Sequence, residues 1–205
     1  MPEPTPDADA ELMLRVRDGG AAASQAFGQL VERWKQPVMS FVFRTLPDPD
    51  EAEDIAQGVF VQLWRTAPRY QPSAKFSTFL FTIARNLCLN ELRRRRRHPA
   101  DSLDEPSPDD ESHPARQVPD HSTPGADSEV TRAELYVKVE QALAGLPEKQ
   151  RTALTLCREG ELSYEEIAEV LGTSLQATKS LIHRAREVLR ARLKPYLKSG
   201  EWREG

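Results

Sequence analysis

The chain has 205 residues, 39% of them apolar, with 10 glycines, 2 cysteines and a net charge of −4. That length suits one or two domains with small helical cores. Cys88 and Cys157 stand far apart and outside any CxxC or Cys/His cluster, so neither a disulfide framework nor a metal site is indicated, and no cofactor is expected. The N-terminus carries no basic-then-apolar signal, and no run of about 18 apolar residues could span a bilayer. The expectation is a cytoplasmic protein without membrane insertion.

Residues 1–8 are proline-rich and acidic, which predicts a disordered tail. A short helix is predicted over 9–18, closed by Gly19-Gly20. A longer helical pattern starts near Ser24, with Phe27, Leu30, Val31, Trp34, Val38, Phe41 and Val42 on one face. Pro37 lies inside it and is expected to kink or divide it. After the turn Pro47-Asp48-Pro49-Asp50, a helix over 50–66 places Ala52, Ile55, Ala56, Val59, Phe60, Leu63 and Trp64 toward a core. Asp50 and Glu51 open that helix, and Asp54, Gln57 and Gln62 lie opposite its core face. Pro68 is expected to end it, with a loop over 69–74.

A fourth helix over 77–97 buries Phe79, Leu80, Ile83, Ala84, Leu87, Cys88 and Leu92. Asn86, Asn90, Arg93 or Arg94, and Arg97 form a separate stripe, and five consecutive arginines end the helix. Amides suit base edges and guanidinium groups suit phosphates. The plainer alternative is a solvated last turn whose arginines complement the helix dipole.

Residues 98–128 hold six prolines among Ser, Asp and Glu, with no periodicity, which predicts a disordered acidic linker. From His98 to Glu129 nine acids face one base, a net −8 that leaves +4 for the rest of the chain. Charge distribution, not the net value, is then the footprint to read. A flexible linker of that length spans roughly 30 Å on average and reaches roughly 100 Å when drawn out.

Helical pattern resumes near Ser128 and runs to Gly145, and Pro147 suits the first turn of the next helix, which Gly160 is expected to end. The stretch SYEEIAEVLGTSLQATKSLIHRAREVLRARLK (163–194) then reads as two helices around a glycine turn. Ser163 and Glu166 have the spacing of a capping box, Gly172 suits the left-handed stop, and Ser174 suits the next cap. Thr178, Ile182, Ala185, Leu189 and Leu193 form one buried face, while Lys179, Arg184, Arg186, Arg190, Arg192 and Lys194 make the helix basic. An acidic helix, a turn and a basic helix describe a helix-turn-helix, whose second helix enters the major groove. The alternative is an ordinary amphipathic pair with a charged outer face. Pro195 is expected to close the last helix, leaving 196–205 as a tail with Trp202 as a docking anchor. No nucleophile–base pair, phosphate loop or HExxH is present, so no enzyme activity is read.

Taken together, DEAEDIAQGVFVQLW (50–64), KFSTFLFTIARNLCLNELRRRRR (75–97) and LPEKQRTALTLCREGELSYEEIAEVLGTSLQATKSLIHRAR (146–186) resemble the extracytoplasmic-function sigma factors of the sigma-70 family. The resemblance implies an all-α fold of two small domains, a region 2-like bundle over 9–97 and a region 4-like helix-turn-helix over 129–195, joined by the linker. It implies core RNA polymerase, through its β and β′ subunits, as partner, with promoter DNA, double-stranded and melted, and an anti-sigma factor as a further candidate. Asp50, Glu51, Asp54, Gln57 and Gln62 would then meet polymerase. Arg69, Tyr70, Lys75, Phe76, Asn86, Asn90, Arg93, Arg94 and Arg97 would recognise and open the minus-ten element. Ser174, Gln176, Lys179, Ser180, His183, Arg184 and Arg186 would read the minus-thirty-five element. Gly58, Asn90 and Leu181 depart from the family pattern, Leu181 by offering an apolar side chain where an arginine often stands. The competing readings are a stand-alone helix-turn-helix regulator and a nuclease, and the latter lacks clustered metal-binding carboxylates.

Overall fold

The computed structural model describes residues 7–46, 48–97, 126–159 and 162–199, and the side chains among these outside 126–133 and 195–199. Among them the regular elements are helical: α1 (Ala8–Asp18), α2 (Ala21–Thr45), α3 (Pro49–Thr66), a 3₁₀ turn (Ala67–Arg69), α4 (Phe76–Arg97), α5 (Ala126–Ala144), α6 (Glu148–Glu159), α7 (Tyr164–Leu171) and α8 (Leu175–Ser199). No described helix is long and apolar enough to cross a membrane.

Four expectations shift. Residues 1–6 of the tail lie outside the described residues, but Asp7 and Ala8 are folded. One Asp7 carboxylate oxygen accepts from the Asp9 and Ala10 amides at 3.1 and 3.3 Å, and the other accepts from the Phe76 amide at 2.7 Å. A single carboxylate therefore satisfies amides that the starts of α1 and α4 would otherwise leave unpaired. Pro37 does not divide α2, which runs unbroken past it. Proline costs the helix one backbone bond, and burial of Val38, Phe41 and Val42 immediately after it holds the chain helical. α5 begins at Ala126, inside the last residues assigned to the linker; most of that linker, with Gly160 and Trp202, lies outside the described residues. Pro195 does not close α8, which continues to Ser199.

α1–α4 pack around Leu30, Phe41, Leu63, Phe76, Leu80 and Phe81, each fully buried. Phe81 meets Phe41 and Trp34 edge-on at centroid distances of 5.4 and 6.0 Å, an arrangement that adds about 0.5–1.5 kcal/mol per pair to burial alone. The Trp34 indole N–H is satisfied by the buried Asp9 carboxylate at 3.0 Å, which also takes Arg33. The second half, α5–α8, has its own apolar contacts through Ala153, Leu156, Ile167, Val170 and Ile182, but these join the first half in one continuous core. α2 packs on α6, and α4 packs on α7.

Candidate nucleic-acid interface

The helix-turn-helix forms as its local chemistry requires. The Glu166 amide donates to Ser163 Oγ at 3.2 Å, and the Ser163 amide donates to Glu166 Oε2 at 2.6 Å, closing the capping box. Gly172 has φ 63° and ψ 42°, the left-handed stop that a Cβ would strain. Ser174 Oγ accepts from the Ala177 amide at 3.2 Å, and the Thr173 and Thr178 hydroxyls meet at 2.9 Å to brace the turn. Ala168, 7% exposed, leaves room for α8 to cross. Thr178, Ile182 and Ala185 are buried, so the opposite side of α8 carries Gln176, Lys179, His183 and Arg184 exposed, with Ser180 at its edge and Ser174 just before the helix. Arg186 departs from this set. Its guanidinium donates to the Tyr164 hydroxyl at 3.1 Å and sits 3.6 Å from Cys157 Sγ, on the side of α8 that faces the other helices.

On α4, Asn86, Asn90, Arg93 and Arg97 are exposed and follow one another by three or four residues, so they share a face. The arginine run is not uniform. Arg95 is 22% exposed and binds Glu51 at 2.6 Å and Asp48 at 2.9 Å. Its hydrogen bond to Glu51 holds its charge more firmly than in an ordinary arginine. Arg94 is more exposed but reaches Glu91 and Glu51 at 2.9 and 3.3 Å. Glu51, expected to face a partner, is thus occupied within the chain: α3 and α4 are neighbours, and its carboxylate lies within reach of two guanidinium groups.

The loop before α4 and the first residue of that helix turn their aromatics inside. Tyr70 is 3% exposed and Phe76 is fully buried, so neither ring is offered to a base. Tyr70 packs on Phe79 at 5.1 Å, and burial, with the Asp7 charge nearby, pushes its phenol up to about 12. Phe76 lies 6.1 Å from Trp34, its amide held by Asp7. These rings bury too much apolar surface to be left in water. The loop's outer surface is instead Arg69, Gln71, Pro72, Ser73 and Lys75, all exposed.

α3 presents Asp50, Asp54 and Gln57 outward, with Gln62 half-buried beside them. Trp64, expected in the core, is 44% exposed, resting edge-on against Phe27 at 4.9 Å, and Val61 is 49% exposed. Residues 50, 54, 57, 61 and 64 step by four and three, so the polar stripe runs on into an apolar end.

Family models match the chain in two stretches: "Sigma-70 region 2" over residues 30–98, and "Sigma-70, region 4" over residues 136–189. The chain is 34% identical over 197 residues to the RNA polymerase sigma-H factor of Pseudomonas aeruginosa, covering 95% of this chain and 98% of that protein. It is 32% identical to the ECF RNA polymerase sigma factor SigW of Bacillus subtilis, covering 90% and 98% respectively. The chain belongs to the extracytoplasmic-function sigma factors of the sigma-70 family. Solved sigma-factor folds agree. CnrH, in complex with the cytosolic domain of CnrY, matches at a TM-score of 0.61 with 26% identity over 92% of this chain and 99% of that one. The sigma factor RpoE of Bartonella quintana, in complex with the anti-sigma factor NepR, shares the fold at 0.64 and 24% identity, over 82% of this chain and 96% of that one. For this sigma factor, Asp7, Val61 and the Arg95 pairing have no counterpart among the expected site residues, Trp64 stands outside the core, and Tyr70, Phe76, Glu51 and Arg186 are turned inward or paired within the chain. Only Trp64 gave a signal, an aromatic in register with Asp54 and Gln57.

Proposed function

We infer that this chain is a dissociable subunit of RNA polymerase that binds the core enzyme in the cytoplasm and directs it to promoters, which it recognises and melts. In this reading α3 docks on core polymerase, at its β and β′ subunits, through Asp50, Asp54, Gln57 and the exposed Val61 and Trp64. Residues 9–97 hold the melted minus-ten strand, with Asn86 and Asn90 on base edges and Arg69, Lys75, Arg93 and Arg97 on phosphates. Residues 129–195 read the minus-thirty-five duplex through Ser174, Gln176, Lys179, Ser180, His183 and Arg184. An anti-sigma factor would be the partner that keeps such a subunit from polymerase.

The α3 face carries this reading against a stand-alone regulator, which has no use for a polar stripe ending in an exposed tryptophan on a domain separate from its helix-turn-helix. Interfaces of this kind concentrate their energy in buried aromatic anchors. Asp54→Lys combined with Trp64→Ala is expected to weaken binding to core polymerase by at least roughly thirtyfold, read by co-purification and titration, with helical circular dichroism unchanged. Wild-type affinity in that variant would overturn the assignment.

A further inference from the structure

Four helices, α2, α5, α6 and α8, surround a cavity of about 300 Å³. Its aliphatic walls are Val139 and Leu143 of α5, Leu154 of α6 and Leu189 of α8. Leu143 is buried, while the other three stay half-buried with the space against them. The polar part of the wall is basic, with Arg44 of α2, Arg158 of α6 and Arg186 of α8. Aliphatic walls with a few polar groups converging on them are the usual make-up of a small-molecule site.

The charges on this wall do not balance. Arg44, its side chain 7% exposed, binds Glu140 at 2.6 Å and also binds Glu159. Burial works against its charge, but the hydrogen bonds and attraction of the two glutamates more than offset this and hold it firmly protonated. Arg158 shares Glu159 at 3.4 Å. Arg186 has only neutral partners among the described residues, the Tyr164 hydroxyl at 3.1 Å and Cys157 Sγ at 3.6 Å. Three guanidinium groups therefore stand against two carboxylates, and the surplus falls on Arg186. Thr155 adds an independent sign. It lines the same cavity, is 3% exposed, and its hydroxyl has no hydrogen-bond partner among the described residues. Thr45, Thr82 and Thr152 donate to the carbonyl four residues back at 2.7 to 2.8 Å, the ordinary outlet on a helix. Thr155 does not use it, and a buried hydroxyl left unpaired is costly.

We propose that this cavity binds a small organic monoanion with an apolar body, of the medium-chain carboxylate class, its chain against Leu143, Leu154 and Leu189 and its head group on Arg186 and Thr155. One surplus positive charge matches a carboxylate rather than a phosphate dianion, and a guanidinium group gives carboxylates strong, charge-assisted hydrogen bonds. Arg44 is already matched and serves as wall. Entry of the head group gives the Thr155 hydroxyl its missing acceptor, and the chain covers aliphatic surface that the helices leave open. None of the lining residues belongs to the surfaces assigned to polymerase or DNA, so the inference goes beyond that function and stands without it. A ligand held by α5, α6 and α8 at once stabilises the folded chain in step with its occupancy.

The test uses the full chain and reads the site through its own thiol. Cys157 stands on the cavity wall and is half-buried, whereas Cys88 is fully buried, so N-ethylmaleimide labelling of the folded chain, followed by mass spectrometry, reports on Cys157. Sodium octanoate, kept below its micelle-forming range, is expected to slow that labelling about fivefold or more and to raise the thermal midpoint by a few degrees. Octan-1-ol at the same concentration should give only a small part of either effect. Arg186→Gln should raise the octanoate concentration needed for half-protection about tenfold, each variant being compared with its own rate without octanoate. Thr155→Val is expected to weaken octanoate binding while leaving the unliganded chain at least as stable, because it removes a hydroxyl that has no partner. Octanoate without effect on the unsubstituted chain overturns the site, and octanol acting as strongly overturns the anion. Wild-type protection in both Arg186→Gln and Thr155→Val places binding elsewhere and overturns the assignment to this cavity.

Discussion

α4 and α8 are the two basic helices of this sigma factor, and they differ in where their carboxylate neighbours lie. Along the end of α4, Arg94 and Arg95 are drawn onto Glu51, Glu91 and Asp48, and Arg96 onto Glu148, which leaves Arg93 and Arg97 with the two asparagines on the outer stripe. Along α8, Arg186 turns to Tyr164 and Arg190 binds Glu187, while Lys179, His183 and Arg184 stay exposed near the start of the helix. Helix α7 covers part of the loop leading into α4, but the outer face of α8 is open. A count of arginines therefore overstates what a helix offers to nucleic acid. Acidic groups on neighbouring helices decide which bases are available.

The contrast is sharpest at the start of α4, where a buried aromatic lies a few turns from an exposed amide. Phe76→Ala is expected to cost about 3–5 kcal/mol of stability in urea unfolding, because the ring fills the core beside Trp34. Asn86→Ala should change stability by no more than about 0.5 kcal/mol, yet cost about 1–3 kcal/mol in opening a preferred promoter, read by permanganate footprinting with the holoenzyme. A Phe76→Ala protein of wild-type stability that fails only in promoter opening would return that ring to the DNA surface.

A smaller effect separates the two helices themselves. Arg95→Ala is expected to destabilise the first half by about 2 kcal/mol, since it removes the guanidinium that Asp48 binds and leaves Glu51 with Arg94 alone. Lys179→Ala should leave unfolding unchanged and lower the salt dependence of promoter binding by about one unit of slope. Equal behaviour of the two variants in both measurements would mean that the ion pairs at the end of α4 carry no structural weight.

The smallest effect concerns pH. Asp48 caps α3, accepting from the Asp50 and Glu51 amides at 3.0 and 3.2 Å. The Glu51 amide foremost, with Arg95, holds its carboxyl below the ordinary 3.8. A carboxyl depressed in the folded state adds stability above its unfolded pKa of about 3.9, and that stability is lost as pH falls through the lower folded value. Urea unfolding between about pH 5 and pH 2.5 should therefore show Asp48→Asn losing less stability on acidification than the unsubstituted chain. Parallel curves would remove Asp48 from the acid response.

Much of this protein is set by local rules that operate on a few neighbouring residues. Apolar spacing gave the helices, because a period near 3.6 has one helical solution. The Ser163–Glu166 box and the Gly172 stop were legible because each needs only residues three or four apart and one backbone conformation. The exposed stripe of Asn86, Asn90, Arg93 and Arg97, and the outer face of α8 from Gln176 to Arg184, follow from the same spacing once the buried side is known. Family resemblance, carried by those motifs, supplied the rest of the functional reading.

What spacing could not decide was every question settled by distant chain segments. Tyr70 sits in the loop before α4 and Phe76 opens that helix, places where an aromatic can face a base or a core. The inward choice comes with packing on Phe79 and Trp34, while Asp7, 69 residues away from Phe76, holds its amide. Trp64 fits the core pattern of α3, yet it lies at the margin of that face, and the packed bundle leaves it 44% exposed. Glu51 and Arg95 pair because α3 and α4 pack side by side, and Arg44 gave no signal at all, since its partners Glu140 and Glu159 lie in the other half. Helical stretches, and the helix faces that carry amides, bases and acids, are fixed locally, because hydrogen bonding and apolar periodicity act within a turn or two. Which of those charges neutralise one another and which stay exposed depends on helix packing, because electrostatic partners are chosen by distance in space.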